Sequence, residues 1–212
     1  MHVAEGILPL PVLIAGAGAS ALGTAVGLRG MDDDRTVRVA VMSSAFFVAS
    51  LIHVPVGPVP EHLVLSGLMG LILGWAAFPA ILIALTLQAL FFGYGGLTTL
   101  GINTVIMAAP AVACFYLFRH HLESASNRRV LAAGAAAGGL SVLLSCLLLC
   151  GSLLTRDRGF AGVAVIVFAG HLPVVLIEAL VTASAAAFLH KVRPETFSLN
   201  RTARPIAEPP LA

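Results

Sequence analysis

Charge is what this sequence has least of. Lys, Arg, Asp and Glu together make up 10% of its 212 residues, against about 25% in soluble domains. Hydrophobic residues make up 58%, and the mean hydropathy is +0.99. That balance excludes an ordinary water-soluble domain. Apolar stretches approaching the length of a bilayer recur, so the chain reads as an all-α integral membrane protein. Cysteine is scarce as well. Cys114, Cys146 and Cys150 all fall inside apolar segments. Without paired spacing beside a loop they indicate neither a disulfide framework nor a zinc site. Cys146 and Cys150 stand one helical turn apart and read as packing residues. No Lys or Arg precedes the first apolar stretch, so the positive region of a cleaved signal is missing. No P-loop is present, which excludes ATP hydrolysis by that route. There is no His-Glu-x-x-His and no serine nucleophile motif, which speaks against a membrane protease. The net charge of +2 decides little by itself, and no nucleic-acid partner is expected.

Seven apolar segments are legible, at Ile7–Leu28, Val37–Val54, His62–Ala76, Phe78–Phe92, Leu97–Phe118, Val130–Leu154 and Ala161–Leu189. The third and fourth are short and closely spaced, which predicts a tight turn or a re-entrant pair. Six spans are the alternative, and the charges favour seven. Arg29, Arg35, Arg38, Arg119, Arg128, Arg129, Lys191, Arg193, Arg201 and Arg204 then fall on one side, and only Arg156 and Arg158 on the other. The positive-inside rule makes the first side cytoplasmic. The N-terminus is then extracytoplasmic and the C-terminus cytoplasmic. Residues 1–192 form the membrane domain, and 193–212 a polar, Pro-rich cytoplasmic tail that is disordered or peripheral by composition.

The most informative residues are the first two. Met1-His2 offers one metal ion an α-amine, the amide nitrogen of His2 and an imidazole nitrogen. Amine and amide close a five-membered ring, and amide and imidazole a six-membered one. A further imidazole completes a square, the geometry that suits Ni(II), Cu(II) and low-spin Co(II). The bulky second residue disfavours removal of Met1, so its amine is expected to be free. His53 and His62 flank a loop stiffened by Pro55, Pro58 and Pro60. They are placed on the same outer side, so at least one of them is expected at the metal, the alternative being two polar caps at helix ends in the interface.

The remaining histidines read differently. His120, His121 and His190 stand beside Arg or Lys at the cytoplasmic ends and read as interfacial residues. Polar groups inside apolar segments are functional candidates because lipid penalises them. These are Gln88, Asn103, His171 and Glu178, with Glu5 and Glu61 near the outer histidines. His171 and Glu178 share a helix face over two turns and are expected to pair. Asn103 is placed to orient a ligand imidazole, and Glu5 to do the same or to hold the N-terminal turn. Gly70-x-x-x-Gly74, Gly134-x-x-x-Gly138 and Ala15-x-x-x-Ala19 have the spacing of close helix approach, either within the chain or toward a partner.

Taken together, MHVAEG at the start, HVPVGPVPEHLVLSGLMG from His53 to Gly70, LQALFFGYGGLTTLGIN from Leu87 to Asn103, and His171-Leu172-Pro173 with Glu178 resemble the NikM/CbiM family. These are substrate-capturing membrane components of energy-coupling-factor (ECF) importers for nickel and cobalt. The resemblance runs to about Val192. It implies an S-component bundle with an additional N-terminal helix, about seven transmembrane helices in all. It implies a bacterial inner-membrane location and a divalent nickel or cobalt ion as transported substrate, with no organic cofactor. The metal would be held by the amine of Met1, the amide and imidazole of His2, and His62, with His53, Glu5 and Asn103 as supporting residues. The His53–Gly70 block is closer to nickel-type members, which favours nickel. The resemblance also implies a T-component membrane protein, cytoplasmic ABC ATPases and often a small accessory membrane subunit as partners.

The function expected is therefore that of a transporter subunit and not an enzyme, with ATP hydrolysis in separate subunits. The competing reading is a self-sufficient secondary transporter, which would need an intramembrane acidic relay for which only Glu178 is available.

Overall fold

The computed structural model describes residues 2–56, 59–122 and 126–197. Helices α1 Leu10–Leu28, α2 Asp33–Ala49, α3 Ser66–Leu73, α4 Ala77–Phe92, α5 Leu100–Leu122, α6 Asn127–Leu154 and α7 Ala161–Val192 carry the fold. Strands β1 His53–Val56 and β2 Val59–His62 form a small hairpin between α2 and α3. Five stretches of the described residues are long and apolar enough to cross a bilayer: Leu10–Leu28, Ser66–Phe92, Leu100–Leu122, Asn127–Leu154 and Ala161–Val192. In hydrocarbon a helix satisfies its own backbone, which is why the apolar runs fold this way.

Two segments depart from expectation. The second begins upstream of its apolar run, because the Asp32 side chain accepts the Arg35 N–H at 2.8 Å and Asp33 and Asp34 occupy the first turn. Acidic groups there complement the helix dipole. It also ends at Ala49, five residues short of the expected Val54, since the chain then enters the hairpin. The third segment was expected to start at His62, yet it is helical only from Ser66. Its first residue closes β2, and the chain turns at Leu65, whose φ is +53°. Between α3 and α4 the expected tight turn is a 3-10 turn, Gly74–Ala76, with Gly74 at φ +55°.

Helix α5 is central and packs against α1, α3, α4 and α6, while α6 and α7 form the most extensive pair. The small-residue motifs explain how. A methyl group at Gly70 would strike the Ala111 carbonyl of α5, and one at Gly138 would strike the Glu178 carbonyl of α7. Both Gly-x-x-x-Gly faces are thus consumed inside the chain, whereas Ala15 and Ala19 remain exposed on α1. The core gathers Val3, Leu8, Phe46, Val64, Met69, Ile81, Ile106, Met107 and Val174. Of the tail, Phe197 is buried with Leu122, Val130 and Ala186, and residues 198–212 lie outside the described part.

Candidate metal centre

The hairpin register sets the site. His53 pairs opposite His62. Directly opposed residues in an antiparallel pair project to the same face, and the two rings stand edge to face with centroids 6.4 Å apart. His62 is buried and His53 exposed. His62 Nδ1 lies 3.0 Å from the Leu63 carbonyl oxygen. A carbonyl only accepts, so Nδ1 carries the proton and Nε2 is left as the lone-pair nitrogen. That Nε2 is 2.9 Å from Nε2 of His2, and the ring centroids are 4.9 Å apart. With His62 accepting, His2 donates from Nε2, which leaves His2 Nδ1 with its lone pair.

Burial keeps both rings neutral. It pushes His62 from its ordinary value of 6.5 down to about 3. His2 retains some accessible surface, yet the atoms packed round its ring strip its hydration and lower it well below the usual range. The neighbouring His62 acts in the same direction. Neutral imidazole is the metal-binding form.

His53 is engaged at both nitrogens. Nδ1 donates to the Leu51 carbonyl at 3.0 Å, and Nε2 accepts the Tyr94 hydroxyl at 3.1 Å. Tyr94 reaches from the loop after α4. Its ring is parallel to that of His62 within 6°, centroids 6.3 Å apart, and lies 6.2 Å from that of His2.

The N-terminal segment is held down through its backbone. Val3 N–H donates to Asn103 Oδ1 at 2.9 Å, and Asn103 Nδ2 donates to the Val3 carbonyl at 3.1 Å. Glu5 N–H donates to the Gly95 carbonyl at 3.2 Å, and Glu5 Oε1 accepts from Thr98 N at 2.9 Å and Thr98 Oγ1 at 3.1 Å. Those donated bonds lower the Glu5 carboxyl pKa. Gly95 has φ +73°, and a methyl there would come 2.9 Å from Asn103 Nδ2 and 3.6 Å from His2 Cβ. Arg156, between α6 and α7, donates to the Gly6 and Ile7 carbonyls at 2.9 and 2.7 Å.

The structure therefore brings His2, His62 and His53 to one place, with Asn103 and Glu5 beside them. Met1 lies outside the described residues. Asn103 holds the backbone after His2 and not an imidazole, and Glu5 takes the second of its two expected roles. Among the described residues no group of three or more His, Cys, Asp or Glu side chains is placed to hold a metal. Glu178 Oε1 accepts from Val64 N–H at 2.5 Å and Leu65 N–H at 2.9 Å, and His171 Nδ1 donates to the Val167 carbonyl at 2.7 Å. These bonds replace the expected pairing of the two side chains by backbone engagement of each. Sequence reasoning missed Tyr94, Thr98 and Arg156. The available signal was that Arg156 is one of two basic residues expected on the outer side, and that Tyr94 sits in the Gly-rich outer loop.

This site stands on a sequence whose relatives are known. The family model described as the cobalt uptake substrate-specific transmembrane region, CbiM, matches residues 2–196. The chain belongs to the CbiM/NikM family. It is a membrane component of cobalt/nickel transport. It is 40% identical to a putative metal transport protein of Haemophilus influenzae, over 95% of this chain and 98% of that one. It is 32% identical to the cobalt transport protein CbiM of Sorangium cellulosum, over 92% and 93%. A fused nickel transport protein NikMN of Rhodobacter capsulatus is 33% identical, over 65% of this chain and 42% of that one. Among solved structures, a transition metal transporter superposes with a TM-score of 0.77 at 25% identity, covering 91% of this chain and 93% of that one.

Proposed function

We propose that this CbiM/NikM chain is the substrate-capture subunit of an ECF importer for Ni(II) or Co(II), with nickel favoured. It holds the ion in a planar set of four nitrogens at the extracytoplasmic face. The observation that carries this reading is the 2.9 Å approach of the His2 and His62 Nε2 atoms. Metal–nitrogen bonds of about 2.0–2.1 Å at right angles put adjacent nitrogens roughly 2.9 Å apart. The two imidazoles thus stand side by side, as neighbouring ligands of one ion have to.

The remaining corners are the α-amine of Met1 and the amide nitrogen of His2. A six-membered ring with that amide requires His2 Nδ1, the atom whose lone pair is free. The His2 side chain therefore has to rotate on binding, so that Nδ1 takes the place beside His62 that Nε2 now holds. Four nitrogens in a plane disfavour Mg(II) and Ca(II), which prefer oxygen, and Zn(II), which prefers a tetrahedron. Copper binds such a set more tightly, so metal supply or a rigid cavity has to exclude it.

Seven crossings fit the contacts. His62 precedes α3 and Tyr94 follows α4, yet their rings stack. The α3–α4 stretch therefore turns back at Gly74 and returns to the end from which it started. The basic residues then gather at the opposite, cytoplasmic end, leaving the N-terminus outside and the C-terminus inside. Energy comes from a T-component and cytoplasmic ATPases, joined where the transporter has one by a small accessory membrane subunit. The exposed Ala15 and Ala19 face of α1 is the surface we assign to the T-component.

The test is calorimetry of the purified chain with Ni, Co, Cu and Zn ions, beside His62→Ala. Loss of a ligand should cost more than the roughly 10–100-fold typical of an outer partner. Unchanged nickel and cobalt affinity in His62→Ala would overturn the site.

A further inference from the structure

We infer that Glu178 is a positioning residue for the metal centre, reaching from α7 to fix the backbone that carries His62. This rests on the metal-centre reading above. After β2 the chain turns from strand to α3 over three residues, and every N–H there has a named acceptor. Leu63 N–H donates to the Ile52 carbonyl at 3.2 Å. Val64 and Leu65 both donate to Glu178 Oε1. Leu65 sits at φ +53°, the only non-glycine residue with positive φ among the described residues, in a region that disfavours side chains with a Cβ. It is also the residue before α3, and it offers no side-chain cap of its own.

One buried carboxylate oxygen from another helix thus supplies the acceptor that this turn lacks. The turn in turn fixes His62, because the Leu63 carbonyl receives the Nδ1 proton and so aims Nε2 toward His2. Glu178 itself is fully buried and held in place. Its main-chain carbonyl is seated against Gly138 of α6, where a methyl group would not fit. The linkage runs from the α6–α7 pair through a single side chain to a metal ligand. A shift of α7 against α6 would therefore be felt at His62.

The experiment is nickel calorimetry and ligand-field spectroscopy on the full chain, its Glu178→Ala and Glu178→Gln variants, and His62→Ala as control. Folded protein is first selected by size exclusion. Glu178→Ala should weaken nickel binding by roughly 10–100-fold and shift the nickel absorption band, because His62 is no longer aimed. Glu178→Gln keeps an oxygen acceptor and should recover at least about tenfold of that loss. A residue that only supports the fold would lower thermal stability and leave the affinity and spectrum of the folded protein unchanged.

If Glu178→Ala does not fold, the double variant with Leu65→Gly, which relieves the left-handed turn, takes its place and should bind equally weakly. Wild-type affinity and spectrum in the alanine variant would overturn the inference, as would a glutamine variant as weak as alanine. If His62→Ala also binds normally, the metal-centre reading itself has failed. If only His62→Ala is impaired, this inference alone has failed.

Discussion

Asn103 grips Val3 at both polar atoms of its backbone, accepting from N–H at 2.9 Å and donating to the carbonyl at 3.1 Å. The clamp acts one residue after His2, so it fixes the backbone that carries His2 without touching the imidazole. Asn103→Ala should weaken nickel affinity by roughly 10–100-fold. Asn103→Asp keeps the acceptor for Val3 N–H but sets an oxygen against the Val3 carbonyl, and should bind no better than alanine. Calorimetry on the two variants checks this, and normal affinity in either would show that the clamp is dispensable.

The proposed coordination set makes the N-terminus itself a ligand. A residue inserted between Met1 and His2, or an uncleaved N-terminal fusion, alters the five- and six-membered rings or removes the amine. Either should abolish the spectrum of a planar nickel complex. Binding should also strengthen as pH rises, because the amide of His2 has to lose its proton. A fusion with the affinity and spectrum of the native terminus would be incompatible with chelation.

Burial also makes a statement about stability. His62 is pushed down to about 3 in the folded chain, while the unfolded chain binds a proton near the ordinary value of about 6.5. Between those values the unfolded state holds more protons, so folding stability is present above about 6.5 and is lost as pH falls toward 3. The thermal midpoint in chelator should therefore decline through that window, by about 2–4 °C per kcal/mol lost. His62→Ala should flatten the decline. A midpoint independent of pH in the wild-type chain would contradict the buried, neutral imidazole.

Capture and release are separate tasks. The three contiguous donors proposed here would favour slow release, and the sequence contains no P-loop. Proteoliposomes holding this chain alone should bind nickel without accumulating it. Adding a T-component and ATPases with ATP should give sustained uptake. Accumulation against a gradient by the chain alone would favour the secondary-transporter reading.

The sequence by itself determined the membrane class and five of the apolar helices to within a few residues, and it is the source of the chelate proposed at Met1-His2. Those follow from composition and from covalent neighbours, which no folding is needed to read. It also placed His53 and His62 on one side, because a short Pro-rich loop cannot carry them far apart. Tertiary structure alone decided that His62 is buried against His2 and that His53 turns instead to Tyr94. It decided as well that Asn103 holds Val3, Arg156 holds Gly6 and Ile7, and Glu178 holds Val64 and Leu65. Each of these joins positions between 41 and 150 residues apart. Hydropathy has a reach of one helix, so it registers Glu178 as an isolated polar residue and pairs it with its helical neighbour His171. Which backbone an acceptor meets depends on how α7 is seated against α6, and that is set by packing at Gly138, on a different helix.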